Sequence, residues 1–183
     1  MRKFHKRKNN RLSSYDYSSP GWYFVTVCVQ DMECVLGEVK NGKMVLNEAG
    51  WVVEECLKNI PKFYSNVELD DWIIMPNHLH AIIIIDSHDV GTAYHAVRNM
   101  DTRRTARCAV LTRYGLLSKI IKSFKVVTKK QINNTNIYFR WQRSFYDHII
   151  DFEKNEYENI RDYILNNPKK WQWDRDNPGK LWY

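Results

Sequence analysis

The most constraining feature of the sequence is a pair of histidines that leads directly into an apolar run. Segment 75–80 has the sequence Met-Pro-Asn-His-Leu-His, and residues 81–85 are Ala-Ile-Ile-Ile-Ile. Such a run is typical of a buried central strand, on which side chains alternate between the two faces. We therefore expect His78 and His80 on one face, about 6–7 Å apart and able to share a metal ion, with Leu79 on the other. The alternative is a pair of histidines at the edge of the core that bond to nearby backbone.

Length and composition favour one folded domain. With 183 residues, of which 44% are hydrophobic, the chain is large enough to bury a core. The longest apolar run, residues 81–85, is far shorter than the roughly 18–20 residues of a membrane span, and the basic N-terminus does not resemble a secretory signal.

The four cysteines lack CxxC spacing. We expect reduced thiols in a cytoplasmic, nucleoid-associated protein.

Positive charge is concentrated in two segments. The net charge is +7, to which residues 1–11 contribute +6 and residues 98–113 contribute +4, which leaves −3 for the rest. This placement indicates a polyanion held by flexible appendages, although a solubilising tail is the alternative for residues 1–11 alone. We predict a basic N-terminal arm at 1–17, a folded domain at 18–175 with a basic insertion at about 87–115, and a C-terminal tail at 176–183.

Turn signals and apolar periodicity predict an α+β domain, with helices packed on an antiparallel, ferredoxin-like sheet. Strands are expected at 22–29, 35–39, 43–46, 67–74 and 80–85, and short strands or an extended segment at 137–141 and 145–149. The Asn41-Gly42 pair is a strong hairpin signal between the second and third strands. Asn47 is expected to cap a helix that runs to about Ile60.

A second helix is predicted at residues 116–130. Its apolar side is formed by Leu117, Ile120, Ile121, Phe124 and Val127. The opposite side carries a basic stripe formed by Lys119, Lys122, Lys125 and Lys129. The stripe by itself fits a solvated surface as well as a nucleic-acid contact.

A last helix is expected from about residue 152 to 166, with Pro168 as its stop. Tyr157, Ile160 and Ile164 form an apolar stripe, and Tyr163 and Asn167 share a neighbouring face one turn apart. A tyrosine hydroxyl, with an ordinary pKa of about 10, attacks a phosphodiester effectively only when a divalent metal polarises the phosphoryl group. The alternative for Tyr163 is a packing role.

Four segments together resemble a known family. They are 75–80, Trp-Gln-Arg at 141–143, Asp-His-Ile-Ile at 147–150, and Tyr-Ile-Leu-Asn-Asn-Pro at 163–168. In this order they resemble the REP-associated tyrosine transposases, a group of the single-tyrosine HUH transposases, over about residues 18–173. The resemblance implies a ferredoxin-like sheet, His78, His80 and Asn167 as metal ligands, and Tyr163 as the catalytic nucleophile.

The reaction implied by the resemblance is metal-dependent cleavage and strand transfer of single-stranded DNA near repeat hairpins, through a 5′-phosphotyrosine intermediate. The implied cofactor is Mg²⁺ or Mn²⁺, although histidine ligands alone would also suit zinc. We expect a monomer or homodimer whose partners are single-stranded DNA and DNA hairpins. The expected backbone-contacting residues are Lys119, Lys122, Lys125, Lys129, Arg103, Arg104, Arg107, Arg143, Arg2, Lys3, Lys6 and Arg7. Trp171, Trp173 and Trp182 are candidates for base stacking.

Two other classes of protein fit part of the pattern. Histidine-triad hydrolases also carry alternating histidines on a strand, but they need a third histidine where this chain has Ile82. A non-catalytic ferredoxin-like module that binds single-stranded nucleic acid through surface aromatic residues is the second alternative. Binding of single-stranded nucleic acid by such a module does not require a histidine pair that faces a tyrosine and an amide.

Deletion of residues 1–11 tests the role of the basic arm. Six phosphate contacts would contribute at most about −4 to −5 to the slope of log affinity against log salt. We expect the deletion to weaken binding to all DNA sequences alike and to flatten this slope, because phosphate contacts carry no sequence information. Binding of hairpin and scrambled oligonucleotides across a salt series measures both effects. An unchanged slope would make the arm a solubility tail.

Overall fold

The computed structural model describes Tyr17 and residues 19–86, 115–135, 137–174 and 176–179. Most of the predicted arm, insertion and tail lies outside these ranges, so the predicted domain boundaries stay predictions. Eight of the predicted nucleic-acid contacts also lie outside them, namely Arg2, Lys3, Lys6, Arg7, Arg103, Arg104, Arg107 and Trp182.

The predicted α+β architecture is confirmed. The main sheet is antiparallel and consists of β1 (Gly21–Cys28), β4 (Val67–Ile74), β5 (His78–Ile85) and β6 (Tyr146–Ile149), in the spatial order β4-β5-β1-β6. A separate hairpin is formed by β2 (Gly37–Lys40) and β3 (Lys43–Leu46). The helices are α1 (Glu48–Lys58), the short α2 (Ile60–Phe63), α3 (Leu116–Asn133) and α4 (Glu156–Lys170). Apart from the hairpin and α2, the order of these elements along the chain is β1-α1-β4-β5-α3-β6, which is the ferredoxin-like order.

The two faces of the sheet are covered by different helices. The odd-numbered residues of β1 and β5, such as Val25 and Ile83, are buried in one core cluster with Val53 of α1 and Ile120 of α3. Phe24 and Ile82 lie on the other face, where they pack against Ile164 of α4. Because neighbouring strand residues point to opposite faces, the sheet separates a structural core under α1 and α3 from the face under α4.

The first helix follows its sequence signals. The side-chain oxygen of Asn47 accepts a hydrogen bond of 3.0 Å from the amide of Gly50, as expected of a helix cap. The residue at position 50 must be small, because a Cβ atom added to Gly50 would lie 2.2 Å from the carbonyl oxygen of Leu36. The hairpin turn also forms where predicted, with positive φ at Asn41 (51°) and Gly42 (69°).

The C-terminal helix differs from its prediction at both ends. It begins at Glu156 rather than near residue 152, because Asn155 has a left-handed conformation (φ 55°) that closes a turn. It continues through Pro168 to Lys170, so the expected stop at Pro168 is wrong. Pro168 is buried together with Ile164 and Asn167 on the sheet. Burial of the ring offsets the loss of the hydrogen bond that proline cannot donate.

Of the two forms predicted for 137–141, a short strand or an extended segment, the strand is not formed, since only Trp141 makes an isolated bridge, to Val29. The Trp141 ring packs instead on α3, and its indole nitrogen donates a 2.7 Å hydrogen bond to the hydroxyl of Thr128. Thr128 therefore occupies the buried position that the pattern assigned to Val127, which is 43% exposed. Within the described ranges, no helix has the length and apolar character needed to cross a membrane.

Candidate active site

His78 and His80 lie side by side on the α4 face of the sheet, as their spacing predicts. They begin the central strand β5, where they pair with Cys28 and Thr26 of β1. Their ring centroids are 4.6 Å apart, and their exposed fractions are 0% and 3%. Leu79, between them, is buried in the opposite core. The strand thus holds two imidazoles in a dry and rigid setting.

Asn77 fixes the orientation of His78. The Asn77 amide nitrogen donates to the carbonyl oxygens of Met32 (3.0 Å) and Asp176 (2.6 Å), so that its oxygen is left to face Nδ1 of His78 at 2.8 Å. Since an amide oxygen only accepts, Nδ1 of His78 must carry the proton. The lone pair of the neutral ring is then on Nε2, which is the arrangement of a histidine that ligates a metal through Nε2.

His80 is held by one polar and one aromatic contact. Its Nδ1 lies 2.8 Å from the hydroxyl of Thr26, and its ring stacks on Phe24 with a centroid distance of 5.3 Å and an interplanar angle of 23°. These contacts direct Nε2 of His80 toward α4. A threonine inside the otherwise apolar strand 22–29 is a sequence signal that could have identified this position.

Tyr163 of α4 places its hydroxyl 3.2 Å from Nε2 of His80. Its ring lies 5.1 Å from the imidazole of His80 and 6.2 Å from Phe24, between centroids. The side chain is nevertheless 43% exposed. The hydroxyl is therefore adjacent to the histidine pair, on a side chain that is partly open to solvent.

Asn167 lies one helical turn beyond Tyr163 and is 2% exposed. One turn further, the ring of Trp171 lies 6.1 Å from that of His78. Because Tyr163 contacts His80 and Trp171 contacts His78, the helix face between them, which carries Asn167, spans the histidine pair. The structure thus brings Tyr163 and the two histidines together, and it buries Asn167 on α4 one turn from Tyr163.

The side-chain oxygen of Asn167 is buried and has no hydrogen-bond partner among the described residues. An unsatisfied buried oxygen costs about 1–3 kcal/mol, and such groups concentrate where a ligand completes the site. The described ranges contain no group of three or more histidine, cysteine or carboxylate side chains suited to a metal. A hard divalent ion would here have two imidazole nitrogens and one amide oxygen, with other positions open to substrate oxygens.

The predicted basic stripe lies away from this site. Lys119, Lys122 and Lys129 are exposed on α3, which covers the opposite face of the sheet. Lys125 is only partly exposed, and its ammonium group donates hydrogen bonds to the carbonyl oxygens of Gln142 (3.0 Å) and Ser144 (2.9 Å). Burial lowers the pKa of Lys125 to about 8. The stripe is therefore interrupted, and Lys125 anchors the segment before β6.

Three other predicted contact residues lie nearer the histidines. Arg143 is exposed and directly follows Gln142. The backbone nitrogen of Gln142 donates a hydrogen bond to the carbonyl oxygen of Cys28, which is the strand partner of His78. Trp173 is 65% exposed just beyond α4, whereas Trp171 is partly buried against His78. Arg143 and Trp173 are thus accessible at the same end of the sheet as the histidine pair.

Comparison with known proteins finds similarity both in sequence and in structure. No protein-family model matches the chain. A Haemophilus influenzae protein described as uncharacterized is 38% identical over 172 residues, which are 93% of each chain. A REP-associated tyrosine transposase bound to a REP hairpin has a TM-score of 0.50 at 18% identity, over 90% of this chain and 77% of that one. A protein of Deinococcus radiodurans R1 described as a transposase candidate has a TM-score of 0.46 at 13% identity, over 85% and 97%.

Replacement of Asn167 tests whether its amide oxygen is held in an unfavourable environment. Leucine has a similar shape and no polar atom, so we expect Asn167→Leu to raise the free energy of unfolding by about 1 kcal/mol, measured in urea. Asn167→Ala, which leaves a cavity, is the control and should destabilise the protein. Equal destabilisation by both substitutions would show that the amide oxygen is already satisfied.

Proposed function

We propose that this chain, which belongs to the same family as the Haemophilus influenzae protein, is a metal-dependent single-stranded DNA endonuclease and strand transferase with Tyr163 as its nucleophile. The observation that carries the proposal is the distance of 3.2 Å between the Tyr163 hydroxyl and Nε2 of His80, beside a second buried histidine. The sequence resemblance to REP-associated tyrosine transposases and the fold shared with one of them support DNA as the substrate.

The proposed chemistry is an exchange of phosphodiester bonds. The Tyr163 oxygen attacks the scissile phosphorus and forms a 5′-phosphotyrosine bond, while the bond to the neighbouring 3′-oxygen breaks and leaves a 3′-hydroxyl. One phosphorus–oxygen bond replaces another, so a later attack by a 3′-hydroxyl can reverse the step and join the strands. The proton lost by the Tyr163 hydroxyl goes to water, since the side chain is 43% exposed, and the departing 3′-oxygen takes a proton from water.

His78, His80 and Asn167 are the residues that would hold Mg²⁺ or Mn²⁺. The ion supplies Lewis-acid polarisation of the phosphoryl group. Asn77 and Thr26 set the ring orientations, and Phe24 closes one side of the site. Three neutral ligands leave the charge of the ion uncompensated, so we expect weak binding until DNA phosphate contributes its negative oxygens.

The DNA path follows from the positions of the exposed side chains. We propose that Arg143 binds backbone phosphate and that Trp173 stacks on a base near the cleaved bond. Lys119, Lys122 and Lys129 face away from the site across α3, and a helix is about 10–12 Å wide with its side chains. We therefore propose that these lysines contact a part of the DNA remote from the scissile phosphate.

Tyr163→Phe tests the nucleophile. The substitution removes one oxygen and preserves ring packing, so a denaturation-resistant adduct with single-stranded oligonucleotides should vanish, with DNA affinity within about twofold of wild type. Tyr146→Phe is the matched control, because Tyr146 is similarly exposed (45%) and also lies near Phe24 on this face. An undiminished adduct in Tyr163→Phe would refute the assignment. DNA binding without any adduct in the wild type would favour the non-catalytic alternative.

His80→Ala tests the metal role. We expect it to abolish cleavage and to remove Mn²⁺ binding measured by calorimetry in the presence of an uncleavable oligonucleotide, because one of three ligands is lost. His148→Ala is the matched control, since His148 lies on the same face of the sheet but bonds to Glu156 at 2.8 Å. Cleavage by the wild type in EDTA at an unchanged rate would exclude the metal.

A further inference from the structure

The edge strand β4 contains an irregularity that turns two consecutive aspartates toward the same helix. Leu69 pairs with Ile83 and Trp72 pairs with Ala81, so β4 has one extra residue at this point. Leu69 and Trp72 both pack against the core under α1 and α3. Such a bulge re-aims side chains that a regular strand would place on opposite faces. Asp70 and Asp71 consequently both face α4.

Each aspartate is bonded to α4. The hydroxyl of Tyr157 donates to Asp70 at 2.9 Å, and Nε of Arg161 donates to Asp71 at 2.5 Å. Partial burial and the bond to Asp70 raise the pKa of Tyr157, and the bond to Asp71 raises that of Arg161. Both groups therefore remain donors throughout the neutral range. Two charge-assisted hydrogen bonds join consecutive residues of β4 to consecutive turns of α4.

These bonds lie on one flank of α4 and Tyr163 lies on the other. With 3.6 residues per turn, Arg161 and Tyr163 project about 80° to either side of the stripe formed by Ile160 and Ile164. The apolar stripe holds the helix on the sheet, but because apolar contact is non-directional it does not by itself fix the rotation of the helix about its axis. Fixed contacts on one flank remove that freedom and so determine where the side chain on the other flank points.

Small rotations matter at this site. A tyrosine hydroxyl extends roughly 8 Å from the helix axis, so a rotation of about 10° moves it by more than 1 Å. Misplacement of a reacting group by about 1 Å can reduce a rate by as much as 100-fold. By contrast, the Arg161–Asp71 pair is partly exposed, with side-chain exposures of 46% and 24%, so its contribution to stability is small.

We propose that the bulge residues Asp70 and Asp71 of β4, bonded to Tyr157 and Arg161, are positioning residues that fix the rotation of α4 and thereby hold the Tyr163 hydroxyl at His80. Their effect on a reaction rests on the proposed function of Tyr163. Their effect on the position of Tyr163 does not depend on that function. The two can therefore be measured separately.

The test combines a spectroscopic and a kinetic measurement on the full chain. Fluorotyrosine incorporated only at position 163 reports the surroundings of that ring by fluorine NMR. We expect Asp71→Ala and Arg161→Ala to shift or broaden this signal and to slow adduct formation by about 10- to 100-fold, with DNA affinity within about twofold of wild type. The double variant Asp71→Arg/Arg161→Asp should restore the signal and most of the rate.

The control is Lys154→Ala, which removes an equally short ion pair, to Asp151, just before α4 and without contact to β4. It should leave both measurements unchanged. If a single variant fails to fold, Tyr157→Phe removes the bond to Asp70 alone and should shift the fluorine signal in the same way. A fluorine spectrum unchanged in Asp71→Ala, Arg161→Ala and Tyr157→Phe would overturn the proposal. A shifted spectrum in a protein that forms no adduct would support the positioning role and refute the proposed function.

Discussion

The antiparallel pairing of β5 with β1 is the interaction on which the rest of the structure depends. It places alternate residues of the apolar run in the core under α1 and α3 and leaves His78 and His80 on the α4 face. Alternation along β5 puts Leu79 and Ile83 in that core, and it puts the two histidines with Ile82 on the opposite face. The polar contacts from Thr26 and Asn77 then set which ring nitrogen faces α4.

The site combines features that oppose stability. A buried amide oxygen on α4 has no partner among the described residues, and a proline lies inside the same helix. The fold tolerates both because Ile164 of α4 packs on Phe24 and Ile82 of the sheet, and because hydrogen bonds tie the first turns of α4 to β4. This division of roles is typical of functional sites, where groups unfavourable in isolation are held by their surroundings.

Local patterns in the sequence predicted much of this arrangement, and the misses have identifiable physical causes. Alternation on a strand placed His78 with His80, and helical spacing placed Tyr163 with Asn167. The left-handed Asn155 and the buried Pro168 shifted the limits of α4, because tertiary packing overrode local preference. The roles of Asn77 and of the bulge at Asp70 and Asp71 depend on contacts between residues distant in sequence, for which a single sequence carries no periodic signal.

In the proposed reaction a tyrosine on α4 attacks DNA beside the histidine pair. The most direct measurement is mass spectrometry of peptides from the protein after reaction with hairpin-bearing single-stranded oligonucleotides and Mg²⁺. We expect a nucleotide attached through phosphate to the peptide that contains Tyr163. Attachment at Tyr146 or Tyr157, or an intact oligonucleotide bound by an unmodified protein, would contradict it.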